Sequence, residues 1–374
     1  MLESKSPLFS VERSPLARAL LWHTFYRQFC AGETAAQVAK SCNDLRQQGY
    51  SGVILEYALE VLKDAEGEES KDVEVWRKGM LKTVAMAASG DFVGLKWSGM
   101  GPAAMRRMKK NEAPSREMSE AMNAVCKAAA ASNISLLPAA EETWSLEGFQ
   151  NWTIDLQREY NTAGKSVVYT TYQAYLKQMP GLLSRHLAVA KEEGFTLGAK
   201  LVRGAYLGSE ERSLIWPSIE DTHASYDSIA SALIHRQHND LVRPLAGSGI
   251  GQWPQTNVVI ASHNAVSVQK AQALRKAQAA CGEALTPLAF AQLQGMADEV
   301  SCSLIAAAKA NEHDEKAVKE RVFKCTTWGT MYECLNYLLR RAAENKDAAG
   351  RTSETRAAMQ TELGRRLKGM VGLG

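Results

Sequence analysis

Eight short segments rich in β-branched and aromatic residues recur along the chain, and a stretch of helical character follows each of them. The segments are residues 51–57, 91–98, 133–139, 166–172, 196–203, 257–263, 287–294 and 321–328. The stretches between them are rich in Ala, Leu, Lys, Glu and Gln, with apolar residues three and four positions apart. This alternation predicts parallel βα units, and eight such units close a (β/α)8 TIM-type barrel of the α/β class.

A doubly wound open sheet is the alternative architecture. It is less favoured because no Gly-x-Gly-x-x-Gly follows any predicted strand, and the nearest match, at residues 99–101, lacks the third glycine. The length of 374 residues suits one barrel with added helices. We therefore expect a single domain over residues 1–374, with its core at 22–350 and an N-terminal helix that begins after Ser14. Residues 204–218 are predicted to form a lid or a loop over a cofactor.

Composition and motifs exclude several classes of function. The net charge is +3, and the only basic run, residues 106–110, is interpreted as a helix end, so no nucleic-acid partner is expected. Seven cysteines without C-x-x-C spacing predict neither a disulfide framework nor a zinc site. No H-E-x-x-H motif indicates a metal, no Gly-x-Ser-x-Gly elbow indicates a serine hydrolase, and no apolar run is long enough for a transmembrane segment.

The N-terminus bears on location. It lacks a secretory apolar region, and Glu3 and Glu12 precede the basic stretch at residues 14–27, unlike a transit peptide. We expect a cytoplasmic protein on this basis, or a mitochondrial one if a longer natural protein has been trimmed.

Polar residues follow almost every predicted strand, where a barrel places its active site. They are Glu56, Lys96, Glu141, Glu142, Gln173, Lys200, Arg203, His263, Gln294 and Trp328. Lys96 is predicted to lie inside a barrel strand, and a buried lysine needs an anionic partner. That partner is either Glu56 on the neighbouring strand or an anionic group of the substrate. Taken alone, His263 is better explained as a hydrogen-bonded core histidine.

The last predicted helix, residues 333–344, has one polar face that includes Glu333, Tyr337, Arg340 and Arg341. An outer helix of a barrel would expose such a face to solvent. The functional alternative is that the adjacent arginines clamp a carboxylate, because guanidinium groups bind carboxylates bidentately. Periodicity alone leaves both interpretations open.

Seven motifs in one order carry a resemblance to a known family. They are FYRQFCAGE at 25–33, TYQAYLK at 171–177, LGAKLVRGAYLGSE at 197–210, DTHASYD at 221–227, ASHN at 261–264, QGMAD at 294–298 and YLLRRAAEN at 337–345. Together they resemble proline dehydrogenase of the fungal and eukaryotic type, over nearly the whole chain.

The resemblance implies a substrate site. Lys96, Arg340 and Arg341 would bind the carboxylate of a small cyclic amino acid, with the last barrel helix folded over the mouth. Leu201 and Tyr206 would pack near the substrate ring, and Tyr337 would line the same pocket.

The resemblance also implies a noncovalent FAD that accepts a hydride at N5 and is reoxidised by a quinone or another electron acceptor. Lys96 and Lys200 would be the catalytic residues. The positions that would hold the FAD are Ala140, Gln173, Lys200, Arg203, Gly204, Ala205, Ser262 and His263.

Two positions depart from the family pattern. Ala139 stands where the family has an aspartate, and Cys325 stands where it usually has a tyrosine. Both family residues line the substrate side of the flavin, so their loss suggests an altered substrate preference. The expected activity is oxidation of proline or of a modified cyclic amino acid to the cyclic imine. A barrel that binds flavin or imino acid without turnover is the competing hypothesis.

Overall fold

The computed structural model of the protein describes residues 14–58, 67–162, 164–245, 253–314, 317–344, 357 and 359–366. Eight strands of this part of the chain follow the predicted order. They are β1 Gly52–Tyr57, β2 Phe92–Leu95, β3 Ser135–Pro138, β4 Thr170–Gln173, β5 Leu197–Val202, β6 Thr256–Ala261, β7 Leu288–Leu293 and β8 Arg321–Trp328.

The eight strands form a closed parallel barrel. Every neighbouring pair in the order β3-β2-β1-β8-β7-β6-β5-β4 is parallel, and a parallel bridge between Leu136 and Val168 joins β3 to the segment that leads into β4. The predicted (β/α)8 fold is therefore confirmed. A short strand, Cys30–Gly32, pairs with the end of β8 outside the barrel.

Helices separate the strands as predicted. They are α1 Pro15–Leu21, α2 Arg27–Phe29, α3 Ala35–Gln47, α4 Glu69–Met86, α5 Pro102–Lys109, α6 Arg116–Ala131, α7 Leu146–Tyr160, α8 Met179–Glu193, α9 Ile219–His235, α10 Ala265–Ala280, α11 Asp298–Ala310 and α12 Met331–Glu344. The predicted N-terminal helix begins after Ser14, whose hydroxyl accepts a hydrogen bond from the Ala17 amide. The basic run at residues 106–110 ends α5, as expected.

Two strand boundaries differ from the predicted ones by three residues or more. β2 ends at Leu95, so the prediction that Lys96 lies inside a strand is wrong by one residue. The Lys96 backbone is still extended (φ −128°, ψ 133°), and a 3₁₀ turn, Trp97–Met100, follows it directly. β4 begins four residues later than predicted. The amides of Val167 and Val168 donate hydrogen bonds of 2.8 Å to Oδ1 of Asn161, so they are not available for pairing with a neighbouring strand.

The barrel has two apolar layers. The inner one consists of side chains that point to the barrel axis, namely Ile54, Phe92, Leu137, Tyr169, Val259, Ala289, Ala291 and Phe323. A larger layer lies between strands and helices. Strand residues alternate between the two faces. Side chains two positions beyond an inner residue, such as Glu56 after Ile54 and Cys325 after Phe323, therefore face inward at the C-terminal mouth.

A third apolar cluster fixes α12 to the N-terminal segment. It joins Tyr26 and Cys30 to Met331, Cys334 and Leu335 on one side of α12. The Tyr26 hydroxyl also donates a hydrogen bond of 2.8 Å to the Gly329 carbonyl, just before the helix. Because the apolar side of α12 packs against the N-terminal segment, its polar side faces away from that segment.

A buried histidine predicts acid sensitivity. The Tyr172 hydroxyl lies 2.8 Å from Nδ1 of His186, and burial, with Arg185 and Arg158 nearby, lowers the pKa of His186 to about 3. Below its ordinary pKa of about 6.5, the unfolded chain binds a proton that the folded chain does not. The free energy of unfolding should therefore decrease by about 1.4 kcal/mol per pH unit as the pH falls from about 6.5 towards 3.

Urea unfolding at about pH 7 and about pH 5.5 measures this loss. His186→Gln, which keeps an acceptor for Tyr172, should lose less stability between the two pH values than the unsubstituted protein. The exposed His313 provides the control. If His186→Gln and His313→Gln behaved alike, His186 would not be the source of the acid sensitivity.

Candidate active site

Tyr206 is the meeting point of the side chains at the barrel mouth. Its hydroxyl donates a hydrogen bond of 2.8 Å to the Ala140 carbonyl and accepts one of 3.4 Å from Nζ of Lys96. Burial raises the pKa of Tyr206 to about 12, while the nearby positive charges of Lys96 and Arg341 act in the opposite direction. The structure thus brings together Lys96, Tyr206 and Arg341, from three distant parts of the sequence.

Helix α12 turns its polar side towards this mouth. The Tyr337 hydroxyl donates to Oε2 of Glu56 at 3.2 Å, and the Arg341 guanidinium lies 5.6 Å from the centre of the Tyr337 ring. At the start of the helix, Glu333 accepts a hydrogen bond of 3.3 Å from the Tyr57 hydroxyl. The solvated-face interpretation therefore fails for Tyr337 and Arg341. Arg340 precedes Arg341 on the same helix and is half-buried.

The loop at residues 204–218 is fastened to the end of β3. The Thr143 amide donates to Oε1 of Glu210 at 2.7 Å, and the Ser209 hydroxyl donates to Oε1 of Glu142 at 2.6 Å. These two reciprocal bonds hold the loop that carries Tyr206 across the mouth. Sequence reasoning placed Glu142 at a strand end but gave no role to Glu210, although Glu210 is the last residue of the 197–210 motif.

Gln173 supports the loop from below. It is fully buried, its amide nitrogen donates to the Glu141 carbonyl at 2.9 Å, and its amide oxygen accepts from the Ala205 amide at 3.1 Å. Gly204 is required here because a Cβ would lie 2.5 Å from the Tyr175 ring. These contacts show that Gln173 shapes the loop, and its role in holding a cofactor stays a prediction.

Arg203 is held in one position at the ends of β5 and β6. Its terminal nitrogens donate to the Ser262 and Ser267 hydroxyls at 2.7 and 2.6 Å, and its Nε donates to Nδ1 of His223 at 3.2 Å. The guanidinium also lies 4.3 Å from the Tyr226 ring centre. His223 and Ser267 were missed, and only the 221–227 motif pointed to the first of them.

His263 lies beside this group, at the end of β6. It is exposed, and its Nε2 accepts a hydrogen bond of 3.1 Å from the Leu293 amide, so that nitrogen carries no proton. The core-histidine alternative therefore does not describe its position.

Lys200, Cys325 and Glu56 form the inner wall of the mouth. Burial raises the pKa of the Cys325 thiol, and the Glu56 carboxylate raises it further, whereas Lys200 lowers it. The Glu56 side chain lies directly over Gly94 of β2. A Cβ added at Gly94 would be only 2.4 Å from it. Lys96 is half-buried, not buried as predicted.

Leu201 is not brought to the site. It follows Lys200 in β5 and is fully buried in the layer between strands and helices. Successive strand residues point to opposite faces, so Leu201 faces away from the barrel axis. The expectation that Leu201 packs against a substrate ring came from the resemblance and stays a prediction.

The described residues contain no group of three or more His, Cys, Asp or Glu side chains that could hold a metal ion. Among the same residues, no helix is both long and apolar enough to cross a membrane.

Comparison with known proteins identifies the family. The family model of proline dehydrogenase matches residues 38–354, which is most of the chain. The chain belongs to the proline dehydrogenase family. It is accordingly an oxidoreductase of a family whose enzymes depend on a flavin.

Curated relatives of this proline dehydrogenase homologue come from distant eukaryotes. A probable mitochondrial proline dehydrogenase of Schizosaccharomyces pombe is 28% identical over 92% of this chain and 80% of its own length. The mitochondrial proline dehydrogenase 1 of Homo sapiens is 30% identical over 71% of this chain, which spans 42% of that protein. A hydroxyproline dehydrogenase of Xenopus laevis is 28% identical over 98% of this chain and 84% of its own length.

These relatives correct the expected location. Both proline dehydrogenases just described are mitochondrial proteins, so the expectation of a cytoplasmic protein is wrong. That expectation rested on Glu3 and Glu12, and these two residues do not decide where the protein acts.

A solved structure supports the fold. Proline utilization A of Bdellovibrio bacteriovorus, inactivated by N-propargylglycine, superposes with a TM-score of 0.66 at 15% identity. The match covers 88% of this chain and 34% of that one. The chain therefore spans about a third of the length of that larger protein.

Proposed function

We propose that this protein is an FAD-dependent enzyme that oxidises L-proline, or a ring-substituted proline, to the cyclic imine. One observation carries the proposal. Lys96 and Arg341 converge on Tyr206 at the C-terminal mouth of the barrel, beneath α12. Two cations at one partly buried point form a receptor for a single small carboxylate.

The substrate carboxylate would bind Arg341 and Lys96, with Arg340 beside them on α12. Guanidinium groups bind carboxylates through paired hydrogen bonds, whereas a lysine acts as a point charge. Tyr206 keeps its proton at neutral pH, because its pKa is about 12. The substrate ring would therefore pack against a neutral phenol, which excludes water from that side of the substrate.

The residues at the ends of β4 to β6 fit a flavin dinucleotide. Arg203 is already oriented by Ser262, Ser267 and His223, and an oriented guanidinium suits the charge and geometry of a phosphate. Lys200, on the inner wall next to Cys325, supplies a second positive charge. Ala140, Gly204, Ala205 and His263 border the same region.

A bound FAD would supply a hydride acceptor for the ring carbon next to the nitrogen, whose own proton would leave as the imine forms, and a quinone or a similar acceptor would reoxidise the flavin. The chain binds, orients and desolvates the reactants. Lys96 and Arg341 fix the carboxylate, and Lys200 faces the reacting region as a cation that stabilises developing negative charge. Oriented charges inside such a site are worth more than they are in water.

We propose that Cys325 and Ala139 widen the substrate pocket. The family pattern has tyrosine and aspartate at these two positions, and Cys325 faces the axis near Lys200 and Glu56. A relative of this chain is a hydroxyproline dehydrogenase, which acts on a ring that carries an additional polar group. Substituted prolines are therefore included in the proposed substrate class. The named mitochondrial relatives support a mitochondrial site of action.

An anaerobic titration of the flavin-loaded protein tests the proposal. Bleaching of the oxidised flavin band is followed with L-proline and with 4-hydroxy-L-proline, in the unsubstituted protein and in Cys325→Tyr. We expect both amino acids to bleach the flavin of the unsubstituted protein. Cys325→Tyr should weaken the response to hydroxyproline by about tenfold or more relative to proline, because overfilling a packed site costs about 1–3 kcal/mol.

A flavin that stays oxidised with both amino acids, but whose spectrum shifts when they bind, would instead establish the non-catalytic barrel. A protein that bleaches equally well before and after Cys325→Tyr would refute the role of Cys325 in substrate selection.

A further inference from the structure

A polar cavity opens at the end of the barrel opposite the active site. Its volume is about 200 Å³, and it lies among the N-terminal ends of β2, β3, β6 and β8. Its walls include Ser135, Ser166 and Asn257 on the inside and Lys165 and Arg321 at the rim. Nothing in the proposed oxidation requires this end of the barrel.

One of the residues that line the cavity, Ser166, has an unsatisfied hydroxyl. Ser166 is 1% exposed, and its Oγ has no hydrogen-bond partner. The rest of Ser166 is fixed, because its amide donates to Oδ1 of Asn257 at 3.0 Å and its carbonyl accepts from the Ser135 hydroxyl at 2.8 Å. A buried hydroxyl without a partner costs free energy, which a ligand that accepts its proton would recover.

The rim carries two positive charges that no carboxylate of the described residues neutralises. Nζ of Lys165 donates to the Asn133 side-chain oxygen at 2.7 Å, and Arg321 donates to the Gly90 carbonyl at 3.4 Å, so both of these acceptors are neutral. The one carboxylate among the lining residues, Asp91, accepts the amides of Val53 and Ala88 and pairs with Arg46. Its charge is therefore already compensated.

We infer that this cavity is a binding site for a compact oxyanion, either a phosphate or the carboxylate of a small metabolite. Lys165 and Arg321 provide the charge, and the Ser166 hydroxyl provides a donor that has no other acceptor. Both kinds of oxyanion accept several hydrogen bonds in the space of one small group, which suits donors gathered around a small cavity. The site is separate from the flavin end of the barrel, so it stands or falls independently of the proposed oxidation.

Calorimetric titration of the purified full-length chain tests the inference. Inorganic phosphate and acetate are titrated separately at low ionic strength, in a buffer without small oxyanions. We expect saturable binding of at least one of them. Ser166→Ala and Arg321→Gln should each weaken that binding by about tenfold or more, because each removes a donor to a charged ligand. Saturation by phosphate alone would identify a phosphoryl ligand, and saturation by acetate would identify a carboxylate.

Arg116→Gln is the matched control. It removes the same charge from the exposed start of α6, a helix whose other end lies beside the cavity, and should leave binding unchanged. Circular dichroism confirms that each variant is folded. Two outcomes would overturn the inference, namely the absence of saturable binding by either anion, or binding that Ser166→Ala and Arg321→Gln weaken no more than Arg116→Gln does.

Discussion

Arg341→Met should lower kcat/KM for L-proline by about a hundredfold or more, with most of the effect in KM. Removing one partner of a desolvated, hydrogen-bonded charge pair costs about 2–5 kcal/mol, and each 1.4 kcal/mol is a factor of ten. Arg341 lies near Tyr206 and Tyr337 at the mouth, so its loss leaves the carboxylate with fewer donors in a partly buried site. Steady-state kinetics over a range of proline concentrations measures the change.

Prolinamide separates carboxylate binding from a general effect on the site. It has the ring and the nitrogen of proline but no negative charge. If Arg341 acts on the carboxylate, the unsubstituted protein should discriminate strongly between proline and prolinamide, and Arg341→Met should lose most of that discrimination. This comparison is a double-mutant cycle in which one partner is the substrate.

Two control variants complete the experiment. Lys191→Met removes an exposed charge from the last turn of α8 and should leave both kinetic constants unchanged. Arg341→Lys keeps the charge without the paired donors, and it should fall between the unsubstituted protein and Arg341→Met. If the discrimination against prolinamide survived Arg341→Met intact, the carboxylate would bind elsewhere.

The fold could be predicted from the sequence because each strand has a local signature. The eighth predicted strand, residues 321–328, coincides with β8, and several others differ only at their ends. The strand ends depend on side-chain contacts that the periodicity of the sequence does not reveal. Asn161 takes two backbone amides out of β4, and the 3₁₀ turn after Lys96 ends β2.

The position of α12 could not be predicted from its own residues. The spacing of Tyr337, Arg340 and Arg341 defines a polar side but not what that side faces. The direction is set by Cys334 and Leu335, which pack against Tyr26 some 300 residues earlier in the chain. The family resemblance anticipated that this helix folds over the mouth, but not the contacts that hold it there.

The hydrogen-bond network around Arg203 could not be predicted from the sequence for the same reason. Ser262 and Ser267 follow β6, whereas His223 lies on α9, and only the closed barrel brings them to the guanidinium of Arg203. Leu201 shows what local pattern can predict. The alternation of strand residues is sufficient to place it in the layer between strands and helices, where the structure has it.

The pair Arg275–Glu320 carries the largest stability effect that we expect. Arg275 on α10 donates through Nε to both carboxylate oxygens of Glu320, at 3.1 and 2.9 Å, and its NH1 donates to the Thr286 carbonyl at 2.8 Å. The two side chains are 6% and 2% exposed. Burial raises the pKa of Glu320 in spite of the adjacent arginine, so desolvation outweighs the attraction between the charges.

Glu320→Gln should therefore reduce the free energy of unfolding by about 3–5 kcal/mol, because it leaves the Arg275 charge buried without its counter-charge. The double variant Arg275→Met/Glu320→Leu removes both charges and should recover most of this loss, less the hydrogen bond to Thr286. Glu120→Gln, which breaks the exposed pair with Arg116, should leave the free energy of unfolding almost unchanged, because solvent screens exposed charges. Urea unfolding of the four proteins gives the comparison, and a double variant less stable than Glu320→Gln would show that the ion pair is a net source of stability.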